Sequence, residues 1–218
     1  MLHKLKLLGL RCLLFEAGDG VGGAWYWNRY PGARCDSESY FYCYSFNDEI
    51  LQEWTWSEKF PGQPEIERYL NFVADRLDLR PDIKFEARVT AATYNEETLR
   101  WTVETSAGDK VETRYLVTAI GGLSATATNL PSIPGLEDFK GEWYHTGHWP
   151  KDGVDFRGKR VGIIGTGSSA VQTITQIAPE VGSLHIFQRT PSFSIPAHNG
   201  PANPQVVSDW LANREANR

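Results

Sequence analysis

The chain has 218 residues, of which 41% are hydrophobic, and a formal net charge of -5. That balance supplies no basic field for nucleic acid or an anionic membrane surface, and no apolar run approaches the ~18 residues needed to span a bilayer. Three cysteines, Cys12, Cys35 and Cys43, form neither an even framework nor a C-x-x-C pair, which fits reduced thiols in the cytoplasm.

The first residues are weakly basic and apolar but carry no small-residue cleavage site, so no signal peptide is read. Residues 3–10 read as the end of a helix with Gly9 as its cap. Leu10 to Glu16 reads as a buried strand closed by an acidic residue. Helix, strand and terminal Glu form the second half of a β-α-β dinucleotide unit, and Glu16 stands where a carboxylate accepts hydrogen bonds from ribose hydroxyls. The first strand of that unit and its G-x-G-x-x-G turn are expected upstream of this helix, ahead of Met1. Residues 18–47, rich in glycine and aromatic residues, read as long ordered loops around a ligand. Residues 64–80 read as an amphipathic helix with Ile66, Leu70, Val73 and Leu77 on its apolar face and Glu65 among its polar residues. Lys84 to Tyr94 and Arg100 to Ser106 alternate with period two across a hairpin turn at 95–99, and a third strand follows from Lys110.

Tyr115 to Gly122 reads as a strand running into glycines. Leu130-Pro-Ser-Ile-Pro-Gly135 marks a domain boundary. Arg160 to Ile164 is a new strand, Ser168 to about Ala178 the helix after it, and Leu184 to Gln188 the next strand. The expected fold class is α/β, with two Rossmann-like dinucleotide-binding domains, both incomplete, of the three-layer β/β/α type, plus a small β-meander. Residues 1–130 are the expected flavin domain, 131–158 a linker and 159–218 the expected NADP domain.

Gly165, Thr166, Gly167, Ser168, Ser169, Ala170, Val171 and Gln172 form the candidate nucleotide-binding run. It follows an apolar strand and opens a helix, the context a glycine turn needs. Gly165 permits the tight turn, Gly167 the close approach of a pyrophosphate, and Ala170 close helix–strand packing, while the helix N-terminus presents N–H groups to phosphate oxygens. After the second strand come Arg189 and Thr190, where an NAD site would place a carboxylate. Arg189 suits a 2′-phosphate, which points to NADP(H). The bland alternative is a surface arginine closing a strand.

Phe139, Gly141, His145, Trp149 and Pro150 spell F-x-G-x-x-x-H-x-x-x-W-P. This pattern resembles the fingerprint of Baeyer–Villiger monooxygenases, flavoenzymes that insert one oxygen atom of O2 beside a ketone carbonyl. The run from Gly22 to Ser39 resembles the flavin-contacting segment of the same family. The resemblance extends from about residue 5 to about 204.

It implies FAD and NADP(H) as cofactors, a small-molecule ketone and O2 as substrates, and a C4a-peroxyflavin as the oxygenating species, with no obligate protein partner. It places Gly23, Ala24, Trp25, Tyr26 and Trp27 along the FAD, Asp36 and Tyr42 in contact with it, and Arg34, Cys35 and Asp36 facing the nicotinamide cofactor. Val89 matches a position at the adenine end. Asp36 is expected to set the position of an arginine that falls after the last residue here, and His145 to couple NADPH binding to domain movement. Asp36 as a loop cap and His145 as a packed ring are the plain alternatives. The resemblance also implies that the chain is a piece truncated at both ends. Two further readings stay open: a non-catalytic fragment, and a related flavin monooxygenase acting on nitrogen or sulfur. His3, His185 and His198 show no metal-ligand spacing.

Overall fold

A computed structural model describes residues 1–123 and 130–213. The chain is α/β and divides into two compact units, one of residues 1–26 and 67–122, the other of 27–66 and 123–218.

The first unit begins with helix α1 (Leu2–Leu7). Gly9, at φ +70, ends it in a left-handed cap: Gly9 N–H donates to Lys6 O and Leu10 N–H to Leu5 O, the double bond pattern that satisfies orphan carbonyls. Lys6 pairs with Asp82. Strand β1 (Leu14–Phe15) is shorter than the expected run and lies parallel to β2 (Ile83–Lys84). Helix α4 (Gln63–Arg76) is the expected amphipathic helix. Its buried face is Ile66, Tyr69, Val73 and Ala74, with Leu70 and Leu77 only half-buried.

The alternating run expected as one strand over 84–94 is two. β2 ends at Lys84, and β3 (Val89–Asn95) starts after a break in which Glu86 takes φ +55. Glu86 N–H donates to Gly18 O and Ala87 N–H to Glu16 O, and Ala87 is fully buried. The break therefore lets one run pair in parallel with β1 and then antiparallel with β4 (Arg100–Thr105). Asn95 Oδ1 accepts from Glu97 N–H and Thr98 N–H, closing the hairpin with a side-chain turn. β5 (Lys110–Thr113) completes the meander. Residues 115–122, expected as a strand, are not in one: Tyr115, Val117 and Ile120 are exposed.

In the second unit, α3 (Asp48–Glu53) is capped by Asn47, whose side chain accepts from Ile50 N–H. Glu65, expected on a polar face, is buried. Its carboxylate accepts from both the backbone N–H and the hydroxyl of Ser57 at 2.8 Å, which satisfies the charge locally. β6 (Arg160–Ile164) and β7 (Ser183–Phe187) pair in parallel across α5 (Ser168–Ile177), a β-α-β unit as expected. The segment 199–202 lies antiparallel to 57–60: Lys59 N–H donates to Gly200 O and Ala202 N–H to Ser57 O. α6 (Pro204–Ala212) follows, with Asn203 as its cap.

Ile66 is completely buried. Ile66→Ala is expected to destabilise the protein by about 2–5 kcal/mol, read from a lowered urea midpoint at unchanged m-value.

Candidate functional site

The glycine turn is built at the end of β6. Gly165 takes φ +103, a conformation that favours glycine, and its N–H donates to Phe187 O at 2.8 Å, holding the turn on β7. Gln188 Nε2 donates to Thr166 Oγ1 at 2.8 Å, a second tie between the turn and the end of β7. Gly167 is the N-cap of α5 and provides no side-chain cap. A Cβ at Gly165 or at Gly167 would meet nothing within 4 Å. The start of α5 thus has no side-chain cap, with clear space beside both glycines, the setting in which a helix N-terminus can receive an anion. Arg189 and Thr190 follow β7 and are exposed. No partner for Arg189 is found among the described residues.

The loop 30–36 docks on α5 within the same unit. Tyr30 OH donates to Gln172 Oε1 at 2.8 Å, and Gln172 Nε2 donates to Arg34 O at 3.1 Å and, more weakly, to Asp36 Oδ1 at 3.4 Å. Arg34 Nη1 donates to Glu58 Oε2 and to Phe60 O, both at 2.7 Å. The hydrogen bond from Arg34 pulls the Glu58 carboxyl below its ordinary range. Asn199 Nδ2 also donates to Glu58 Oε2, so one carboxylate joins the loop to 199–202. Cys35 is buried, and its N–H donates to Pro61 O at 3.0 Å. Burial pushes the Cys35 thiol up, which keeps it protonated and unreactive near neutral pH. Asp36 and Tyr42 are exposed, and Trp27 is half-buried.

The fingerprint residues belong to this unit too. His145 precedes the short 3-10 turn Thr146–His148, and its Nδ1 accepts the Gly147 N–H at 3.1 Å. The ring is therefore the neutral tautomer with its proton on Nε2. Burial, then the neighbouring His148, lower the His145 pKa. Trp149 lies against Tyr144 and Phe156, with ring centroids 5.6 and 6.0 Å away. A Cβ at Gly141 would stand 2.7 Å from the Phe139 ring, so the fingerprint glycine makes room for its own phenylalanine.

In the first unit, Glu16 Oε1 accepts the Gly18 N–H at 2.8 Å, so the acidic end of β1 also shapes the loop after it. Tyr26 is buried. Its OH donates to Asp19 Oδ1 at 2.6 Å, and Gly18 packs so tightly on its ring that a Cβ would stand 2.6 Å away. Gly23 lies on the turn into α2 (Ala24–Trp27), whose first residues are Ala24 and Trp25. Val89 opens β3 opposite Thr105 and is exposed. Thus Gly165–Gln172, Arg34–Asp36 and His145 fall in one unit, while Glu16, Gly23–Tyr26 and Val89 fall in the other. Glu58 and Asn199 were not read from the sequence. They stand 24 and 141 residues from the groups they join, and no local pattern marks such pairs.

Residues 7–200 match the Flavin-binding monooxygenase-like family. The chain belongs to this family. It is 48% identical over 213 residues to an acetone monooxygenase (methyl acetate-forming) of Gordonia sp. (strain TY-5), a match covering 98% of this chain and 39% of that protein. It is 48% identical to a Baeyer–Villiger monooxygenase of Pseudooceanicola batsensis, over 97% of this chain and 38% of the relative. A phenazine N-monooxygenase of Lysobacter antibioticus is 43% identical over 99% of this chain and 39% of its own length. The structure superposes on that of an oxidised steroid monooxygenase bound to NADP with a TM-score of 0.92 and 54% identity, covering all of this chain and 41% of the other. The chain therefore spans about two-fifths of the length of the relatives it matches. The Rossmann-like architecture and the Baeyer–Villiger resemblance of the fingerprint both agree with these matches. Among the described residues, no helix is long and apolar enough to cross a membrane.

His145 carries a direct pH prediction. Above the ordinary imidazole pKa of about 6.5 both folded and unfolded states are neutral, and the residue adds no pH dependence. Below it the unfolded chain takes the proton first, so stability declines as the pH falls from there through the lowered folded value. The His145 ring resonances are expected to titrate below 6.5 in NMR, and the Gly147 amide to shift with the same midpoint as its acceptor is lost.

Proposed function

We propose that the protein carrying this chain is an NADPH-dependent flavin monooxygenase of the Baeyer–Villiger type, converting ketones to esters or lactones with O2. The observation that carries this reading is the full fingerprint, Phe139 to Pro150, standing ahead of an open glycine turn in a chain 48% identical to a methyl acetate-forming ketone monooxygenase. The residues present fit a dinucleotide at α5: the helix start is uncapped and the glycines leave the approach clear.

When bound, FAD supplies oxygen activation and NADPH the hydride. The chain's own residues bind and orient. The N–H groups of Ser168, Ser169 and Ala170, with Thr166 beside them, hold the pyrophosphate at the positive end of the helix. Val171 packs the first turn. Arg189 and Thr190 take the 2′-phosphate, where a guanidinium offers paired donors to phosphate oxygens. Glu16 accepts from the ribose of FAD. Gly23, Ala24, Trp25, Trp27 and Tyr42 line the flavin, with Tyr26 supporting them, and Val89 meets its adenine end. Asp36 sets the position of a neighbouring cation at the reacting centre. His145 gates the approach of the two nucleotide regions and moves no proton in the chemistry. In this reading residues 1–130 serve FAD, 159–218 serve NADP(H), and 131–158 connect them.

Two measurements follow. The full-length protein carrying this chain, mixed with FAD and desalted, is expected to show flavin absorption that NADPH bleaches. In 18O2, a ketone is expected to yield an ester carrying one heavy oxygen. A protein that stays colourless, or that oxidises an amine nitrogen but no ketone, ends the Baeyer–Villiger reading. Arg189→Ala is expected to weaken NADPH about tenfold or more, the loss of a charge-assisted contact, and to leave NADH binding nearly unchanged. Equal losses for both nucleotides would remove the 2′-phosphate assignment.

A further inference from the structure

We propose that Gln172 is a positioning residue that locks the loop 30–36 to α5, so that nucleotide held at the start of the helix and the loop bearing Asp36 are set as one body. The coupling half of this proposal rests on the nucleotide reading above; the lock itself does not.

Gln172 lies in the run first read as nucleotide-binding, yet both ends of its side-chain amide meet the loop. Oε1 accepts from Tyr30 OH at 2.8 Å, and Nε2 donates to Arg34 O at 3.1 Å and toward Asp36 Oδ1 at 3.4 Å. The backbone joins in. Gly32, at φ +78, lies so close to the carbonyl of Gln172 that a Cβ would stand 2.4 Å from its oxygen, and 3.3 Å from Gln176 Cβ. Side chain and main chain of one helical residue thus seat three successive parts of the loop: Tyr30, Gly32 and the Arg34–Asp36 stretch.

The residue type is demanded by the partners. Tyr30 brings a donor, while Arg34 O and Asp36 bring acceptors, so the residue between them must accept at one end and donate at the other. A glutamate would keep the acceptor, lose the donors and face the Asp36 carboxylate with like charge. On the far side, Arg34 is held by Glu58 and Phe60 O, so the Arg34 peptide is fixed from two directions. Gln172 stands four residues after Ser168, the first residue of α5, which is about one turn and ~6 Å along the axis. A helix over that span moves as a rigid piece. Anything that fixes or tilts its first turn therefore acts on Asp36 through Gln172.

The test is hydrogen exchange by mass spectrometry on the purified protein, with and without NADP+. Gln172→Met keeps the volume and removes both hydrogen-bonding ends. Its amides at 30–37 are expected to exchange about tenfold faster than in the unaltered protein, the loss of two or three hydrogen bonds. In the unaltered protein NADP+ is expected to slow exchange at both 165–172 and 30–37. In Gln172→Met it is expected to slow 165–172 alone, a split that a merely structural residue would not produce. Tyr30→Phe removes only the Oε1 partner and is expected to give a smaller change of the same kind; it decides the question if Gln172→Met does not fold. Unchanged exchange at 30–37 in the nucleotide-free variants overturns the lock. Equal NADP+ protection of 30–37 with and without the Gln172 amide overturns the coupling. An unaltered protein that gains no protection at 165–172 from NADP+ overturns the nucleotide reading and the coupling with it, while the nucleotide-free comparison still decides the lock.

Discussion

Backbone meets backbone where Gly32 lies against the carbonyl of Gln172, and much of the second unit follows from that approach. No side chain fits between them, so the loop 30–36 comes down onto α5 at one register. From there Cys35 N–H reaches Pro61 O and Gln63 N–H reaches Ala33 O. Arg34 reaches Glu58, and Glu58 reaches Asn199. A loop with little periodicity of its own is thereby built into a fixed surface by the helix on one side and by 57–63 on the other. The ion pair is half exposed and contributes little by itself. Its effect is geometric: it leaves Asp36 on the surface while the residues on either side of it are tied down.

The glycine turn works by the opposite means. Gly165 and Gly167 keep matter away where Gly32 draws it close, and the start of α5 is left without a side-chain cap. An uncapped helix start is unfavourable on its own, because several N–H groups lack partners. Helix N-terminal N–H groups left without a side-chain cap are of the kind that can receive a phosphate. Arg189 stands exposed at the end of β7, a full positive charge of the kind that pairs with phosphate oxygens. The chain as a whole is acidic, so it offers an anion locally placed donors rather than a general positive field.

The first unit shows how one stretch of sequence can serve two sheets. The left-handed residue Glu86 and the buried Ala87 turn an alternating run from parallel pairing with β1 to antiparallel pairing with β4. The same break returns hydrogen bonds to Glu16 O and Gly18 O, so the acidic end of β1 and the Tyr26 loop are held by the chain that leaves β2. Tyr26 fills this loop with its ring and ties it with its hydroxyl, which makes its part in the aromatic run one of support for its neighbours.

The sequence by itself determined the elements whose signals are local. The glycine turn between an apolar strand and a helix, the hairpin closed by Asn95, the amphipathic helix and the β-α-β unit all follow from spacing and from the conformations that glycine and asparagine permit. The fingerprint and its family were equally legible, because they are strings of adjacent residues. Tertiary structure decided everything that joins distant residues. Alternation showed that 84–94 is extended but not that its partner changes at Glu86. An apolar run at 115–122 read as a strand, yet strand formation needs a neighbour that spacing cannot supply. Glu65 counted as polar on a helix wheel and became buried because Ser57 satisfies its carboxylate. Gln172 read as a nucleotide residue from its place in the run, and only packing showed its amide turned to Tyr30 and Arg34. Hydrogen bonds across such separations depend on where the backbone brings two groups, and no period or motif in the chain records that.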